Sequence, residues 1–285
     1  MAFAINTNVA ALNSYRNLSN TQNDISKSLE KLSTGLRINR AADDAAGLSI
    51  SEGLRSQVNG LNVAARNAQD GISVIQTAEG ALTEVHSILQ RMRDLAVQGA
   101  NDSNNDASRQ AIKDEADGLG QELNRIVNST NFNGIKLLDA SAGTAGTITF
   151  QVGADGDANN AIAVSLGDTA TNLGALAGAT AADITDFDVT DHAAAQTTIG
   201  SIDTAIKAIS EQRSGLGASQ NRFESAIKSI NISAENLSAS ESRIRDTDMA
   251  SEMSKFTKNQ IMSQAGTAML AQANQINQGV LQLLG

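Results

Sequence analysis

Apolar residues recur three and four positions apart over long stretches of this chain, a spacing that both ends share and residues 141–195 lack. Such heptad spacing lines one face of a helix with apolar side chains, so it predicts long helices that pack side by side. Proline, which kinks helices, does not occur in the 285 residues. The successive seams are Leu18, Ile25, Leu29, Leu32 and Leu36; Val58, Leu61, Ile72, Ile75, Leu82 and Leu89; Ile112, Leu119, Leu123 and Ile126; Ile199, Ile202, Ile206, Ile209, Leu216, Phe223, Ile227 and Ile230; and Met262, Met269, Ile276, Val280 and Leu283.

The period changes to strict alternation between residues 147 and 166. Apolar and polar residues alternate in ITFQV, residues 148–152, and again in IAVSL, residues 162–166, with turn-forming residues between them. This pattern predicts a β-hairpin. The predicted fold class is therefore mainly α: a long antiparallel helical coiled-coil rod formed by both chain ends, with a small β-hairpin region in the middle.

Both terminal segments lack charged residues. Residues 1–15 and residues 259–285 contain no Asp, Glu, Lys or Arg, although the second segment is rich in Asn and Gln. A surface helix normally carries charges on its solvated face, so most of the circumference of these helices is expected to contact protein. A buried central helix pair is one explanation, but the chain is too small to wrap both segments. We expect other copies of the chain to cover them, as in rings or open helical filaments.

The charge and composition exclude several classes of partner. A net charge of −10 argues against nucleic acid, because surfaces that bind phosphates are basic. No apolar run is long enough to span a membrane, so no membrane partner is expected. The first residues also lack the pattern of a cleavable secretory signal. Without cysteine the chain has no disulfide and no thiolate zinc site.

No motif for catalysis, a metal or a cofactor is recognisable, so we expect a protein that is not an enzyme and needs no cofactor. His86 and His192 lie far apart in sequence and outside any H-E-x-x-H pattern, and no P-loop or G-x-S-x-G elbow occurs. The sequence DGDAN, residues 155–159, resembles the start of a calcium loop. Asn160 and Leu166 stand where that loop needs Gly and Glu, so a polar hairpin turn is the better interpretation.

Several long strings resemble those of bacterial flagellins. Near the start these are INTNVAALN, LSTGLRINRAADDAAGLSISEGLRSQ and NAQDGISVIQTAEGALTEVHSILQRMRDLAVQ; near the end they are SRIRDTDMASEMSKFTKNQI and AMLAQANQINQGVLQLL. The resemblance covers about residues 1–138 and 197–285. It implies a structural subunit, exported unfolded by the flagellar type III system, that polymerises into the extracellular filament used for swimming.

The resemblance also implies a division of the chain. Residues 1–32 and 247–285 correspond to the inner coiled-coil domain, and residues 33–46 to a connector. Residues 47–246 correspond to an outer helical domain, which includes the β-hairpin region 140–195, and no large additional outer domain is present. We expect the acidic hairpin region to face solvent.

The resemblance assigns three sets of residues. Arg91, Leu95 and Glu115 correspond to positions of inter-subunit contact and of recognition by an animal Toll-like receptor, although they are also interpretable as two exposed charges and a seam residue. The connector set is Gly35, Arg37, Asn39, Arg40, Asp43 and Asp44. The inner-tube packing set is Ile5, Val9, Leu12, Leu18, Ile25, Leu29, Leu32, Met262, Met269, Ile276, Val280 and Leu283.

The connector residues have expected roles that follow from their chemistry. Gly35 and Asn39 tolerate the backbone angles that stop a helix, and Asp43 and Asp44 are suited to cap the next one. The two arginines either pair with carboxylates of a neighbouring subunit or are solvated charges of a loop.

Partners and alternatives follow from the same resemblance. The expected partners are further copies of the chain, an export chaperone at the C-terminal region, the filament cap, and hook-junction proteins. A hook–filament junction protein is an alternative identity, because it shares flagellin-like ends. A signalling hairpin, such as the cytoplasmic part of a chemoreceptor, is an alternative from a different functional class.

Overall fold

The computed structural model describes residues 8–178 and 184–284, with side chains described as far as residue 275. Ile5 of the predicted packing set lies outside the described residues, as do the side chains of Ile276, Val280 and Leu283. No helix in the described part of the chain is both long and apolar enough to cross a membrane.

Long helices at both ends of the chain and a two-stranded antiparallel hairpin between them confirm the predicted fold class. Helices begin and end at residues that favour a helix terminus. Gly35, in the left-handed region with φ of 73°, ends the first helix, and Asn105 caps the third. The elements are α1 (Val9–Thr34), α2 (Ala45–Gly99), α3 (Asp106–Ser129), β1 (Asn131–Phe132), β2 (Ile135–Lys136), β3 (Thr147–Gln151), β4 (Ala161–Ser165), α4 (Thr169–Leu173), α5 (His192–Arg245) and α6 (Met249–Leu284).

The chain forms two compact units. The terminal unit comprises Met1–Ser56 and Asn236–Gly285, and the middle unit comprises Gln57–Glu235. The assignment of residues 1–32 and 247–285 to an inner domain and of residues 47–246 to an outer domain stays a prediction, because it describes positions in an assembled filament.

In the terminal unit, α1 and α6 pack antiparallel. Near one end of the pair, the side-chain amide of Asn8 donates a hydrogen bond to the carbonyl of Ala273 over 3.1 Å. Nearer the other end, the hydroxyl of Ser28 donates to Oε1 of Glu252 over 2.7 Å. Helices from opposite ends of the sequence therefore lie side by side.

The middle unit holds the hydrophobic core. The β3–β4 hairpin places Phe150 opposite Ile162, and Phe150 meets Phe223 of α5 edge to face, with ring centroids 5.5 Å apart. Gly71 of α2 leaves room for the ring of Phe223, since a Cβ there would lie 2.8 Å from it. The core also includes Leu82, Leu89 and Met92 of α2, Leu123 of α3, Val164 of β4, and Ile202, Ile209 and Leu216 of α5.

The acidic region differs from the expectation that it faces solvent. Leu166, Leu176 and Phe187 are each at most 2% exposed and join the core of the middle unit. Asp155, Asp157, Asp186 and Asp191 are exposed, and the partly buried Asp168 accepts a hydrogen bond from the backbone N–H of Thr171 and caps α4. Leu166 ends the alternating pattern of residues 162–166, but neither the heptad nor the alternating pattern indicated Leu176 and Phe187, because apolar residues in irregular backbone follow no period.

Candidate self-assembly surface

The seam between α1 and α6 consists mainly of small and polar residues. A Cβ added at Gly266 of α6 would lie 3.4 Å from the side chain of Leu18, so the helices approach closely there. On α6 the partly or fully buried positions are Glu252, Phe256, Asn259, Ser263, Gly266, Leu270 and Ala273. On α1 they include Ala11, Ser14, Leu18, Thr21, Ile25 and Ser28. This seam buries little apolar surface, and Ile38 is the one buried hydrophobic residue among those described in the terminal unit.

Ten large apolar side chains of the terminal unit lie outside this seam. Their exposed fractions range from 47% to 66%. A side chain that is half exposed has gained only part of the free energy that burial supplies. These residues are Val9, Leu12, Tyr15, Leu29, Ile50, Met249, Met253, Ile261, Met262 and Met269.

The structure thus divides the predicted inner-tube packing set into two groups. Leu18, Ile25 and Leu32 are partly buried within the terminal unit. The second group is exposed to solvent: Val9, Leu12, Leu29, Met262 and Met269. The predicted seam of α6 runs through Met262 and Met269, whereas its inward face, toward α1, carries Glu252, Phe256, Asn259, Ser263, Gly266, Leu270 and Ala273. The inward face was detectable, because Glu252, Asn259, Gly266 and Ala273 recur every seven residues.

Glu252 is a charged residue within this seam and is only 6% exposed. Its carboxylate accepts hydrogen bonds from Ser28 over 2.7 Å and from Lys255 over 3.3 Å. Burial acts to raise the pKa of Glu252, but these hydrogen bonds and the charges of Lys255 and Lys31 outweigh it, so the pKa lies below its ordinary value of 4.5. The carboxylate therefore stays ionised at neutral pH.

The segment between α1 and α2, residues 35–44, forms a hydrogen-bonded turn. The Oδ1 atom of Asp44 accepts a bond from the backbone N–H of Gly47 over 2.8 Å and so caps α2. Asp43 differs from the expected capping role: it accepts bonds from the backbone N–H groups of Arg40 and Asn39. These two donors hold the pKa of the Asp43 carboxyl below its ordinary value of 3.8.

Asn39 also differs from its expected role, and the two arginines have partners within the chain. The backbone φ of Asn39 is not positive, and its side-chain amide donates a hydrogen bond to the carbonyl of Leu36 over 3.1 Å. Arg37 donates to the carbonyl of Ile244 through Nε over 3.1 Å and through Nη2 over 2.5 Å. Arg40 pairs with Glu30 over 2.9 Å. Pairing of these arginines with a neighbouring subunit stays a prediction.

The predicted receptor positions lie in the middle unit. Nη2 of Arg91 on α2 lies 2.6 Å from Oε1 of Glu115 on α3, and both side chains are about half exposed. Leu95, one turn further along α2, is 1% exposed and packs in the core. The structure therefore presents Arg91 and Glu115 at one surface but does not present the side chain of Leu95 there.

Comparison with known proteins is consistent with these features. The family model for the bacterial flagellin N-terminal helical region matches residues 5–143, and the model for the bacterial flagellin C-terminal helical region matches residues 199–284. A flagellin of Halalkalibacterium halodurans is 54% identical over 280 residues, covering 98% of this chain and 99% of that protein. A flagellin of Bacillus subtilis is 50% identical over 301 residues, with the same coverage. The flagellar filament 33 kDa core protein of Treponema phagedenis is 46% identical over 287 residues, again covering 98% and 99%. With both terminal helical regions matched and relatives similar along nearly their whole length, this chain belongs to the bacterial flagellin family.

Proposed function

We propose that this chain is the structural subunit of a bacterial flagellar filament, where many copies polymerise outside the cell to form the helical propeller for swimming. The observation that carries this proposal is the set of large apolar side chains left exposed on α1 and α6. The relatives named flagellin and the relative named a filament core protein support it. No observation favours the hook–filament junction alternative.

Exposed apolar helix faces favour association between copies. Burying one Leu or Met side chain completely contributes roughly 1.5–3 kcal/mol. Contiguous apolar patches are uncommon on monomeric soluble proteins, and they usually mark interaction sites. Unlike faces that meet head to tail give open helical filaments. In this arrangement residues 1–32 and 247–285 form the inner coiled coil and residues 47–246 form the outer domain.

Delivery of the subunit is also part of the proposal. The chain leaves the cell unfolded through the flagellar type III system, with an export chaperone bound at its C-terminal region. It then folds under the filament cap, on a filament that begins at hook-junction proteins. The absence of proline and cysteine supports rapid folding at the tip, because no X-Pro bond has to isomerise and no disulfide has to form.

An animal Toll-like receptor for flagellin is a further proposed partner. Arg91 and Glu115 supply exposed charged groups that a receptor can contact. Leu95 supports this surface from beneath, because it packs in the core one turn away from Arg91.

Removal of residues 259–285 tests the role of the terminal helices. Purified full-length subunits should elongate fragments of the filament at modest salt, and the truncated chain should not. The core of the middle unit lies between Ala68 and Phe223, so its unfolding in urea should be unchanged by the truncation. Normal elongation by the truncated chain would refute this role. Failure of the full-length chain to elongate the fragments would instead favour the junction protein.

A further inference from the structure

Methionine supplies most of the exposed apolar surface of α6. Among the described side chains of this helix, five large apolar ones are exposed, and only Ile261 is not a methionine. The other four are exposed by 47% to 55%, and they are Met249, Met253, Met262 and Met269. The whole chain contains six methionines. Most of its methionine is therefore placed on this one helix surface.

Elsewhere in the described part of the chain, methionine is not exposed. The remaining exposed large apolar side chains are Val, Leu, Ile and Tyr residues of α1, α2, β2 and α5. Met92 of α2 is fully buried in the core of the middle unit. Leu and Met have similar helix propensities and gain similar free energies on burial. Neither property requires methionine on α6, so its distinguishing features there are a flexible side chain and an oxidisable thioether.

Small solutes can reach these methionines in the subunit. All four lie outside the seam with α1, and about half of each side chain is exposed. Met253 and Ile261 also line an open depression of about 470 Å³ on the side of α6, together with Ser254, Thr257 and Lys258. A small polar oxidant therefore reaches this surface without any opening of the α1–α6 pair.

Hydrogen peroxide oxidises an exposed methionine without a further reactant. A lone pair of the sulfur attacks one peroxide oxygen, and an S–O bond forms as the O–O bond breaks. The hydroxide that leaves takes the proton of the new S–OH group and becomes water. The sulfur is thereby oxidised by two electrons and the peroxide is reduced by two. The product, methionine sulfoxide, is polar, and sulfoxide reductases convert it back to methionine.

We propose that these four methionines are oxidation sites that control polymerisation. Hydrogen peroxide converts them to sulfoxides in the free subunit, and the oxidised subunit loses most of its affinity for the filament. The physical reason is that a sulfoxide covered by a second copy forfeits apolar burial and has to be desolvated. This inference rests on the proposed function, in which other copies cover the exposed face of α6. Coverage then protects the sulfur atoms of subunits that are already assembled.

Peroxide treatment of purified subunits and of filaments tests the proposal. Mass spectrometry of proteolytic fragments measures the oxidation of each methionine, and sedimentation measures the critical concentration for assembly. One variant carries Met249→Leu, Met253→Leu, Met262→Leu and Met269→Leu, which keeps an apolar side chain at all four positions. The matched control is Met92→Leu, which removes the buried methionine and leaves the four exposed ones unchanged.

The four exposed methionines should oxidise at least about tenfold faster than Met92 in free subunits, and about tenfold more slowly in filaments than in free subunits. Oxidation should raise the critical concentration of the wild type and of the Met92→Leu control about 30-fold or more. Treatment with sulfoxide reductases should restore assembly. The four-Leu variant should assemble within about threefold of the untreated wild type before and after peroxide. The circular dichroism of oxidised subunits should not change, because the four side chains lie outside the α1–α6 seam.

Several results would overturn the oxidation proposal. The oxidised wild type could assemble like the untreated protein, the four-Leu variant could lose as much assembly on oxidation as the wild type, or the four methionines could oxidise equally fast in filaments and in free subunits. Loss of the helical signal on oxidation would assign the effect to unfolding of the subunit. Poor assembly of the untreated four-Leu variant would assign the choice of methionine to its flexibility. Failure of the untreated wild-type chain to assemble at all would instead contradict the proposed function, so the two failures are distinguishable.

Discussion

Replacement of Met262 and Met269 by Ala is expected to weaken polymerisation without weakening the isolated subunit. These side chains are 52% and 55% exposed, so about half of each remains to be buried by another copy. Half of the free energy of burying a Met side chain is about 1 kcal/mol, and the two together contribute about 2 kcal/mol per subunit. That corresponds to a rise of about 30-fold in the critical concentration. Helicity should not fall, because Ala and Met are both strong helix formers.

The subunit offers its own reporter for this experiment. Tyr15 is the only tyrosine, and the chain contains no tryptophan, so tyrosine fluorescence comes from α1 alone. Its side chain is 66% exposed in the subunit, and quenching by acrylamide should fall when the filament forms. The variant with Met262→Ala and Met269→Ala should show reduced quenching of Tyr15 only above its raised critical concentration. The matched control is Ile135→Ala on β2, which removes a 47% exposed apolar side chain outside the terminal helices. A critical concentration within about twofold of the wild type for the Met variant would refute the reasoning.

Three further changes have expected outcomes. Because folding lowers the pKa of Glu252, its contact with Ser28 contributes fully to stability above the ordinary pKa of 4.5, and this contribution is lost as the pH falls through the folded pKa. The helical circular dichroism signal should therefore depend on pH in this range. Glu252→Gln should flatten that dependence. Phe223→Ala should lower the free energy of unfolding of the middle unit by about 3–5 kcal/mol in urea titrations, since this ring is fully buried. Gly35→Ala should cost about 1–2 kcal/mol in thermal unfolding of the terminal helices, because φ there is 73°.

The sequence by itself determined the long helices, the β3–β4 hairpin and the family. Helix and strand periods are local properties, so the pattern from Ile199 to Ile230 predicts a helix without knowledge of what it packs against. Gly35 and Asp44 are also local signals, since they act on the backbone within four residues of themselves. The long flagellin-like strings indicated the family before any contact was known.

The tertiary structure decided which face of each element meets which neighbour. Heptad spacing marks an apolar stripe but does not say whether another part of the chain or another copy covers it, so Met262 and Leu18 were placed in one set although only Leu18 faces the partner helix. Leu95 is in the core because α2 packs there, a fact that the helical period of α2 leaves open. Lys27 and Lys258 line one cleft because α1 and α6 run antiparallel and bring together residues more than 200 positions apart. Contacts of that kind depend on how helices are juxtaposed, which no local pattern specifies.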